Sequence, residues 1–555
     1  MFNLFSKKNG SLKDDVLSGI TVALLLVPEA IAFSFIAGVN PMVGLWSAVF
    51  VGFITAAFGG RPGMICGATG AIAIVAAQAF TLGKKAGLSA LKNGEDLAGL
   101  SPDDIGLQYL VTALLFAGAI QITVGLCKLG RFIRLIPHPV MMGFVNGLAI
   151  VIALGQLLFF KQSVSFDNDG NMVSTWLNME SIGMMLGLIA ITMAIIVLLP
   201  KVTKAVPPTL VAILVVFGLT MFLDGSRDIK DILIMLTGEA KIDSSLPTLT
   251  SFSAVPWNEL SFYIAILPIA LTIAMVGLIE SLLTLQLIDE ITETRGQGNR
   301  ECVAQGAANV LSGLFGGMGG CATIGQSLIN MKNGGRGRTS GIVGALTLLL
   351  LIMFGADIIM SIPVAALVGV MFMIVISTFE WSTFKTIGKV ANSELIVILA
   401  VTLVTVFMHN LALAVAVGVI ISAIVFAAKA SAHINLEVLK DSEQDDERIY
   451  APEGMLYFAS VQDFQDKFTA SSDRKKIVID CENLRVMDLS GLEAINVLGE
   501  RYKNAGKNLR VRHLSPDCQQ MLEKAGSLVD IEVLPDDPHY SVALLRSENS
   551  KIIGS

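Results

Sequence analysis

Phe58-Gly59-Gly60 and, a few residues later, Cys66-Gly67-Ala68-Thr69-Gly70 form a glycine-rich pattern that the chain uses twice. The second copy is Phe315-Gly316-Gly317, followed by Cys321-Ala322-Thr323-Ile324-Gly325. Both copies lie between long apolar runs, and in both a threonine stands shortly after the cysteine. Self-similarity of this kind predicts a chain that consists of two related halves.

One acidic residue precedes each copy inside an apolar run. Glu29 lies 40 residues before Thr69, and Glu280 lies 43 residues before Thr323. A carboxylate inside a membrane costs about 3 kcal/mol on insertion scales, so such a residue indicates a functional role by default. The matched spacing predicts that each half contributes one acid and one glycine-rich element to a common site.

The composition of the 555 residues is typical of a polytopic α-helical membrane protein. Hydrophobic residues make up 53% and charged residues 15%, and the mean hydropathy is +0.69. Soluble chains carry about 25% charged residues, so a soluble enzyme, a disordered chain and a disulfide scaffold are excluded. The net charge is −7 without a long basic block, so no nucleic-acid partner is expected. The six cysteines form no CxxC pair, and no cofactor is expected.

The apolar runs between residue 16 and about residue 430 predict fourteen transmembrane segments, because a full span takes about 20 residues. Their approximate centres are residues 26, 50, 74, 116, 149, 189, 215, 273, 309, 327, 347, 369, 401 and 419. The third segment (Ala68–Phe80) and the tenth (Ala322–Asn330) are predicted half-helices. Broken segments are tolerated only where they are buried in protein or line a cavity.

Positive charges predict that both termini and the C-terminal domain are cytoplasmic. The predicted inner loops carry most of the lysines and arginines, among them Arg61, Lys128, Lys201, Lys332 and Lys385. We therefore expect a multi-pass protein of the cytoplasmic membrane, with residues 1–15 as a cytoplasmic N-terminus and the lipid bilayer around its apolar surface.

Seven segments in each half is an odd number, so the halves (about 16–223 and 260–430) must be inverted relative to each other in the membrane. This arrangement is typical of secondary transporters whose site lies between two discontinuous helices. Two helix N-termini that meet at mid-membrane present free N–H groups and positive dipole ends to an anion. The alternative is that the glycine-rich runs only allow close helix packing.

Glu280 and Thr284, one helical turn apart, are candidates for a coupling-cation site. Their oxygens could coordinate Na⁺, or the carboxyl group could carry a proton. The alternative is a structural hydrogen bond to a neighbouring helix. Glu29 is a second candidate, because it follows Pro28 and proline leaves a helix carbonyl without its donor.

The composition changes after about residue 430. The acidic run within residues 431–447 predicts a solvated linker. Residues 448–555 then alternate between short β-rich and amphipathic segments. Lys476–Asp480 is typical of a buried strand, Leu492–Tyr502 has helical spacing, and Ser515 is a candidate N-cap of a further helix. This pattern predicts a small α/β domain with helices packed on a mostly parallel sheet.

Nearly the whole chain resembles the sulfate permease (SulP) family of anion transporters. The resemblance is carried by Ile279-Glu280-Ser281-Leu282-Leu283-Thr284, by the residues Asn299 to Asn309, and by Pro28-Glu29-Ala30-Ile31-Ala32-Phe33 in the first segment. The C-terminal residues resemble a STAS domain through Ile477-Val478-Ile479-Asp480 and Met487-Asp488-Leu489-Ser490-Gly491-Leu492.

The resemblance implies a seven-plus-seven inverted repeat with core and gate parts, a homodimer and a cytoplasmic STAS domain. It also implies a substrate among sulfate, bicarbonate, chloride and small dicarboxylates, bound between the third and tenth segments. The predicted substrate-binding residues are Cys66, Gly67, Ala68, Thr69, Gly70, Cys321, Ala322, Thr323, Ile324 and Gln326.

The resemblance further implies a Na⁺ site, because the cyanobacterial bicarbonate members use an acid and a threonine of the eighth segment. These positions match Glu280 and Thr284, and Ala322 and Thr323 complete the predicted Na⁺ site. Here Glu replaces the Asp of those members, which leaves Na⁺ and H⁺ both open as the coupling ion.

The STAS resemblance departs from the family at one place. The anti-sigma-factor antagonists carry Asp-Ser-Ser-Gly, in which a serine is phosphorylated, whereas Leu489 replaces the first serine here and only Ser490 remains. We therefore expect a dimerisation and regulatory scaffold in which Ser490 is a helix N-cap. A phosphorylation switch at Ser490 is the alternative, and a cytoplasmic partner of the domain stays open.

The sequence predicts a secondary active importer or exchanger of small inorganic anions that uses an elevator-type alternating-access mechanism. It does not predict an enzyme, because no covalent chemistry is implied and the ATP-binding pattern GxxxxGK[ST] is absent from the sequence. Three rivals stay open: a channel-like anion conductor or dicarboxylate exchanger, a nucleobase permease, and a membrane-bound signalling protein. The STAS domain argues against the second, and the sequence contains no further output domain for the third.

Gln326 favours a singly charged substrate such as bicarbonate over sulfate. Many sulfate and chloride members resemble Ser-Arg-Ser at the position of Gly325-Gln326-Ser327, which places a fixed positive charge beside the anion. With a neutral amide here, the anion depends on helix dipoles of about half a charge each and on the cation at Glu280. That arrangement balances a monoanion better than a dianion.

Overall fold

The computed structural model describes residues 11–93, 99–130, 137–166, 172–203, 207–223, 226–237, 246–386, 388–389, 392–408, 411–431, 434–443, 446–514 and 532–534. The chain divides into two units, Met1–Val419 and Ile420–Ser555. The first unit is almost entirely helical, whereas the second contains a β-sheet with helices.

The helices of the apolar part follow one another with short connections. They are α1 (Leu12–Ala37), α2 (Pro41–Phe58), α3 (Gly70–Lys92), α4 (Pro102–Leu126), α5 (His138–Gly155), α6 (Met179–Val202), α7 (Pro208–Thr220), α8 (Ile229–Thr237), α9 (Leu260–Thr292), α10 (Gly298–Leu314), α11 (Ile324–Lys332), α12 (Arg338–Met360), α13 (Val364–Thr378), α14 (Ser382–Thr386), α15 (Asn392–Met408) and α16 (Leu411–Ser431). A 3-10 helix, Gln156–Phe160, continues α5. Four short strands accompany them: β1 (Cys66–Gly67), β2 (Lys161–Phe166), β3 (Met172–Trp176) and β4 (Cys321–Ala322).

Capping residues set several helix starts. The hydroxyl of Ser11 accepts a hydrogen bond from the backbone N–H of Asp14, at 3.2 Å, and Ser101 and Asp104 form a reciprocal capping box at α4. α1 therefore begins at Leu12, a few residues before the predicted boundary at residue 16. The acidic residues of its first turn suit the positive end of the helix dipole.

The helices of the first unit form two bundles. The core bundle consists of α1–α4 and α9–α12, in which α4 packs against α3, α9 and α10, and α12 packs against α1 and α2. The gate bundle contains α5–α7, α13 and α15, in which α5 packs against α13 and α15, and α6 packs against α7 and α13. The two bundles meet where α13 contacts α1 and α11, and where α5 contacts α3.

Nine helices within the described residues are long and apolar enough to cross a membrane, and three shorter apolar helices accompany them. All fourteen predicted segment centres lie within helices. However, α10 has 17 residues and α11 has 9, so fourteen full spans stay a prediction. One prediction is wrong: the third segment does not end at Phe80, because α3 continues to Lys92. Leu, Ala and Lys are good helix formers, and they extend the helix beyond its apolar part.

The second unit contains one mixed sheet. Its strands are β5 (Asn435–Ser442), β6 (Glu447–Leu456), β7 (Lys476–Asp480), β8 (Leu484–Val486), β9 (Asn508–Arg512) and β10 (Glu532–Val533), and its helices are α17 (Val461–Asp466) and α18 (Leu489–Asn504). The order is β10-β9-β7-β6-β5, with β8 paired to β6. Every pair is parallel except β5–β6, so the predicted mostly parallel sheet is confirmed.

The predicted linker, residues 431–447, is corrected by the structure. Residues Asn435–Ser442 form β5, which pairs antiparallel with β6. In this pairing Ser442 lies opposite Glu447. The acidic run therefore lies at the turn of a β-hairpin. Its charge does not prevent strand pairing, because Asp441 accepts hydrogen bonds from Arg448 and Arg474. The helix predicted to start at Ser515 lies outside the described residues.

Candidate functional site

The two copies of the glycine-rich pattern meet in the core bundle. β1 and β4 pair antiparallel, with Cys66 opposite Ala322 and Gly67 opposite Cys321. The crossing is tight: a Cβ atom on Gly320 would lie 2.0 Å from the carbonyl oxygen of Gly67. Only glycine fits at this position, because the two backbones pass in direct contact.

A helix starts immediately after each of these strands. Thr69 is the N-cap residue of α3 and Thr323 is the N-cap residue of α11, and neither hydroxyl bonds to its own helix. The N-terminal N–H groups of both helices therefore keep their capacity to bind another group. This geometry agrees with the predicted pair of helix N-termini at one site.

A cavity of about 310 Å³ lies between the core and gate bundles, at these two N-termini. Seven predicted site residues line it: Glu29, Thr69, Gly70, Glu280, Thr323, Ile324 and Gln326. Gly325 also lines it, and a Cβ atom on Gly325 would meet no atom within 4 Å. The first turn of α11 is thus open to the cavity.

Six predicted residues do not line the cavity. Cys66, Gly67, Ala68, Cys321 and Ala322 form the buried strand crossing behind it. Thr284 is also buried, and its hydroxyl donates to the backbone carbonyl of Glu280 at 2.8 Å. Among the four predicted Na⁺ ligands, only Glu280 and Thr323 therefore face the cavity.

The two acids contact α11 and the strand before it, β4, through neutral donors. The side-chain amide of Gln326 in α11 donates to the carboxylate of Glu29 in α1. The thiol of Cys321 donates to Oε2 of Glu280 in α9, at 2.7 Å. Both predicted acids therefore line the same cavity.

Thr69 completes the surroundings of Glu280. Its Oγ1 lies 3.0 Å from the Sγ atom of Cys321, and its side chain also hydrogen-bonds to the carboxyl group of Glu280. The hydroxyl of Thr323 instead donates to the carbonyl of Ile65, at 3.1 Å. The two equivalent threonines consequently have different partners.

A buried polar network supports the crossing from behind. Ser281 Oγ accepts from the N–H of Ala322 at 3.1 Å, and the amide of Gln305 donates to the carbonyl of Gly320 at 2.6 Å. Asn309 Oδ1 accepts from the N–H of Gly320 at 2.9 Å. These bonds satisfy backbone groups that a broken segment leaves unpaired in a membrane.

Sequence reasoning missed the side of the cavity that the gate bundle forms. Its lining residues there are Leu148, Ile152, Ile196, Thr209, Val370, Met373, Ile374, Ser377 and Thr378. Thr209, Ser377 and Thr378 add hydroxyl groups, which lie at the ends of apolar runs and carry no motif. None of the described residues that line the cavity is Lys or Arg.

In the C-terminal domain, the predicted N-cap role of Ser490 is wrong. Asp488 is the N-cap of α18, and its carboxylate accepts from the N–H groups of Gly491 at 2.9 Å and Phe458 at 3.0 Å. Asp488 takes the cap position because it has the extended backbone that a cap requires and because it precedes the first helical residue. Ser490 is exposed in the first turn.

Similarity to known proteins covers both units. The sulfate permease family matches residues 12–401, and the STAS domain matches residues 439–536. The protein named sulfate transporter YbaR of Bacillus subtilis (strain 168) is 37% identical over 529 residues, which are 94% of this chain and 100% of the relative. The bicarbonate transporter BicA of Picosynechococcus sp. is 30% identical over 450 residues, which are 79% of this chain and 74% of the relative.

Solved structures share the fold. The transmembrane domain of a cyanobacterium bicarbonate transporter BicA has a TM-score of 0.59 and 29% identity, and covers 75% of this chain and 98% of that chain. The murine anion transporter Slc26a9 in the inward-facing state has a TM-score of 0.74 and 16% identity, and covers 96% of this chain and 91% of that chain. The chain therefore belongs to the sulfate permease family of membrane transporters, and its second unit is a STAS domain.

Proposed function

We propose that this protein imports a small inorganic anion by secondary active transport, with Na⁺ or H⁺ bound at Glu280 as the coupling cation. The cavity between the core and gate bundles carries the proposal. It combines the N-termini of two helices, which favour an anion, with two carboxylic acids, which favour a cation. A site with both features suits the joint binding of an anion and a cation.

The anion binds at the N-termini of α3 and α11. Thr69, Thr323 and the open first turn of α11 at Gly325 face the cavity. Backbone N–H groups at a helix start bind anions because they lack partners within the helix. The hydroxyl groups of the gate bundle, Ser377 and Thr378, add donors from the opposite side.

The cation binds at Glu280, which is partly exposed to the cavity. Its carboxylate has neutral hydrogen-bond partners, so a mobile cation supplies the missing positive charge. Glu29 is the second acid of the cavity, and its bond with Gln326 connects α1 to α11. The side-chain oxygens of Glu280, Thr69 and Thr323 are the proposed ligands of Na⁺. A proton would bind to the carboxyl group of Glu280 without further ligands.

We propose bicarbonate as the anion in preference to sulfate. A dianion needs a fixed positive charge, and the described lining of the cavity contains neither Lys nor Arg. A monoanion leaves less negative charge to offset than a dianion, and the two helix N-termini supply only about half a positive charge each. Relatives carry both names, since YbaR is named a sulfate transporter and BicA a bicarbonate transporter, so sulfate is the second candidate.

The transport step is alternating access of the elevator type, in which the core bundle moves against the gate bundle. A second cavity, of about 640 Å³, continues along the next turns of α1, α3 and α5, from Ile36, Ile74 and Val151 outward. Between the two cavities, Gly70 packs against Phe33 and Ile152, such that a Cβ on Gly70 would lie 2.7 Å from Ile152 Cδ1. We propose that this apolar contact closes the site on the outer side.

The charge pattern of the sequence supports the proposed orientation in the membrane, and the resemblance to the family supports the proposed homodimer. We propose that the protein lies in the cytoplasmic membrane as a homodimer, with both termini and the STAS domain in the cytoplasm. The STAS domain adjusts the transport rate, either by itself or through a cytoplasmic partner, and is not part of the anion path. Deletion of the residues after 430 then leaves anion binding intact.

Uptake into proteoliposomes tests the proposal. Purified full-length protein is supplied with radiolabelled bicarbonate or sulfate, each with and without an inward Na⁺ or proton gradient. We expect concentrative bicarbonate uptake with one of the gradients, and weaker competition by sulfate. Uptake that does not depend on either gradient contradicts the symport. The choice of anion is contradicted if sulfate displaces bicarbonate at micromolar levels while bicarbonate does not displace sulfate.

A further inference from the structure

The thiol of Cys321 stands between the residue that faces the anion and the residue that holds the cation. Its Sγ atom lies 2.7 Å from Oε2 of Glu280 and 3.0 Å from Oγ1 of Thr69. Cys321 is fully buried in β4, whereas Thr69 and Glu280 line the cavity. The three side chains, which we call the thiol relay, belong to three different elements: the N-cap of α3, strand β4 and helix α9.

The thiol relay has few hydrogen atoms, and their number determines which side chain donates to which. A threonine hydroxyl and a thiol each have one hydrogen, and an ionised carboxylate has none. When no cation is bound, the carboxylate of Glu280 accepts a hydrogen bond from the S–H group of Cys321. The hydroxyl hydrogen of Thr69 then points to the sulfur atom or to Glu280, so only its lone pairs are left for the cavity, where they repel an anion.

A cation at Glu280 reverses this order. Na⁺ at the carboxylate competes for the lone pairs that the thiol used, and a proton turns the carboxyl group into a donor to the sulfur atom. In both cases the S–H of Cys321 turns to Oγ1 of Thr69. The hydroxyl hydrogen of Thr69 is then released toward the cavity, where it donates to the anion.

We propose that Cys321 is the positioning residue that links cation binding at Glu280 to anion binding at Thr69. The inference rests on the proposed function, because it assumes that Glu280 holds the coupling cation. It adds a mechanism by which cation binding at Glu280 affects anion binding at Thr69 through two hydrogen bonds. A coupling of this kind changes affinity by about 5- to 150-fold and is reciprocal between the two ligands.

The test measures the affinity of radiolabelled bicarbonate for the purified full-length protein at low and at saturating Na⁺, and separately at two pH values without Na⁺. We expect the wild type to bind bicarbonate about tenfold more tightly when the cation is present. Cys321→Ser retains most of this gain, because the hydroxyl both donates and accepts. Cys321→Ala reduces the gain to less than about twofold, because no side chain then connects Glu280 to the hydroxyl of Thr69.

Two controls make the outcome specific. Cys302→Ala removes another fully buried cysteine, outside the thiol relay, and should behave as the wild type. Cys321→Val repeats the test with a side chain of similar volume and no donor, should the alanine variant fail to purify as folded protein. A folded Cys321→Ala or Cys321→Val variant with the full cation effect overturns the inference.

The same data separate the inference from the proposed function. In one outcome, Glu280→Gln abolishes the cation effect and the Cys321 variants keep it. This outcome supports the proposed coupling and refutes only the thiol relay. A wild type without any cation effect refutes the coupling at Glu280, and the relay with it.

Discussion

Two acids of the STAS domain and two acids of the membrane cavity have contrasting surroundings. In the STAS domain, Asp473 lies in an ion pair with Arg448 at 2.6 Å and also accepts from the hydroxyls of Tyr450 and Tyr502. Asp480 accepts from Arg512 at 2.7 Å and pairs with His513 at 2.9 Å. In the membrane unit, the hydrogen-bond partners of Glu29 and Glu280 are an amide, a thiol and a hydroxyl.

The difference is between acids with a fixed cationic partner and acids whose hydrogen-bond partners are neutral. A buried carboxylate with a fixed cation is already neutralised, and its pair holds neighbouring elements together. A carboxylate with neutral partners in a membrane lacks that compensation and binds Na⁺ or H⁺ when one is available. We therefore propose that acidic side chains stabilise the STAS domain and bind the coupling cation in the membrane unit.

The largest expected effect follows from neutralising Glu280. Glu280→Gln keeps the shape of the side chain but removes the charge that holds the cation, so gradient-driven uptake is abolished while the protein stays folded. Uptake in proteoliposomes, with size-exclusion chromatography of the purified variant, measures both properties. Glu290→Gln, which changes an exposed acid on the same helix, is the matched control. Concentrative uptake at the wild-type rate in Glu280→Gln would refute the assignment.

Removing Asp473 should damage stability instead of transport. Asp473→Ala leaves Arg448, Tyr450 and Tyr502 without their shared acceptor, and breaking a buried pair costs about 3–5 kcal/mol. Limited proteolysis of the full-length protein should then cut within the STAS domain at a lower temperature. Asp463→Ala removes an exposed ion pair with Lys467, which is worth less than about 1 kcal/mol. Equal protease resistance of the two variants would contradict the structural role.

Gln326→Arg would give a membrane acid the kind of partner that the STAS acids have. The arginine would lie beside Glu29 and raise the charge of the cavity by one. We expect the preference to shift from bicarbonate toward sulfate, measured by competition for uptake. Gln326→Leu, which removes the amide without adding charge, is the control for lost hydrogen bonding. An unchanged preference in Gln326→Arg would show that charge balance does not select the anion.

Thr69→Val and Thr323→Val compare the two N-cap hydroxyls. Each substitution should raise the apparent KM, since a polar ligand that loses a donor costs about 1–3 kcal/mol. The effect should be larger for Thr69, because it belongs to the thiol relay, whereas Thr323 already donates to the carbonyl of Ile65. Uptake kinetics measure both values, and unchanged KM in both variants would contradict the site at the two helix starts.

The smallest effect concerns pH and the STAS domain. Although burial acts to raise it, the pKa of Asp480 is held below its usual value by hydrogen bonds from His513 and Arg512. A lowered folded-state pKa contributes stability above the unfolded pKa of about 3.9, and this stability is lost as the pH falls through the folded value. Asp480→Asn should therefore lower stability at neutral pH and flatten its loss in acid, as measured by thermal unfolding at several pH values. Parallel curves for the two proteins would contradict this.

Much of the fold follows from local patterns. The apolar runs predicted the helices because their length and composition match a membrane span, and every predicted centre lies in a helix. The strand Lys476–Asp480 was predicted with its observed bounds, since a short apolar β-branched run is typical of a buried strand. The predicted boundaries of segments were wrong where the composition does not indicate them, as at the end of α3 and in the acidic β-hairpin after α16.

The repeat in the sequence predicted that two glycine-rich elements and two acids lie together, because it preserves their spacing. Which of these residues face the cavity depends on how the helices pack in three dimensions. Cys321 and Thr284 turn inward to partners in other elements or in the helix backbone, while Gly325 is open to the cavity. The gate residues on α5, α7 and α13 were also decided by packing, since apolar side chains at a bundle interface and apolar side chains facing lipid have the same sequence pattern.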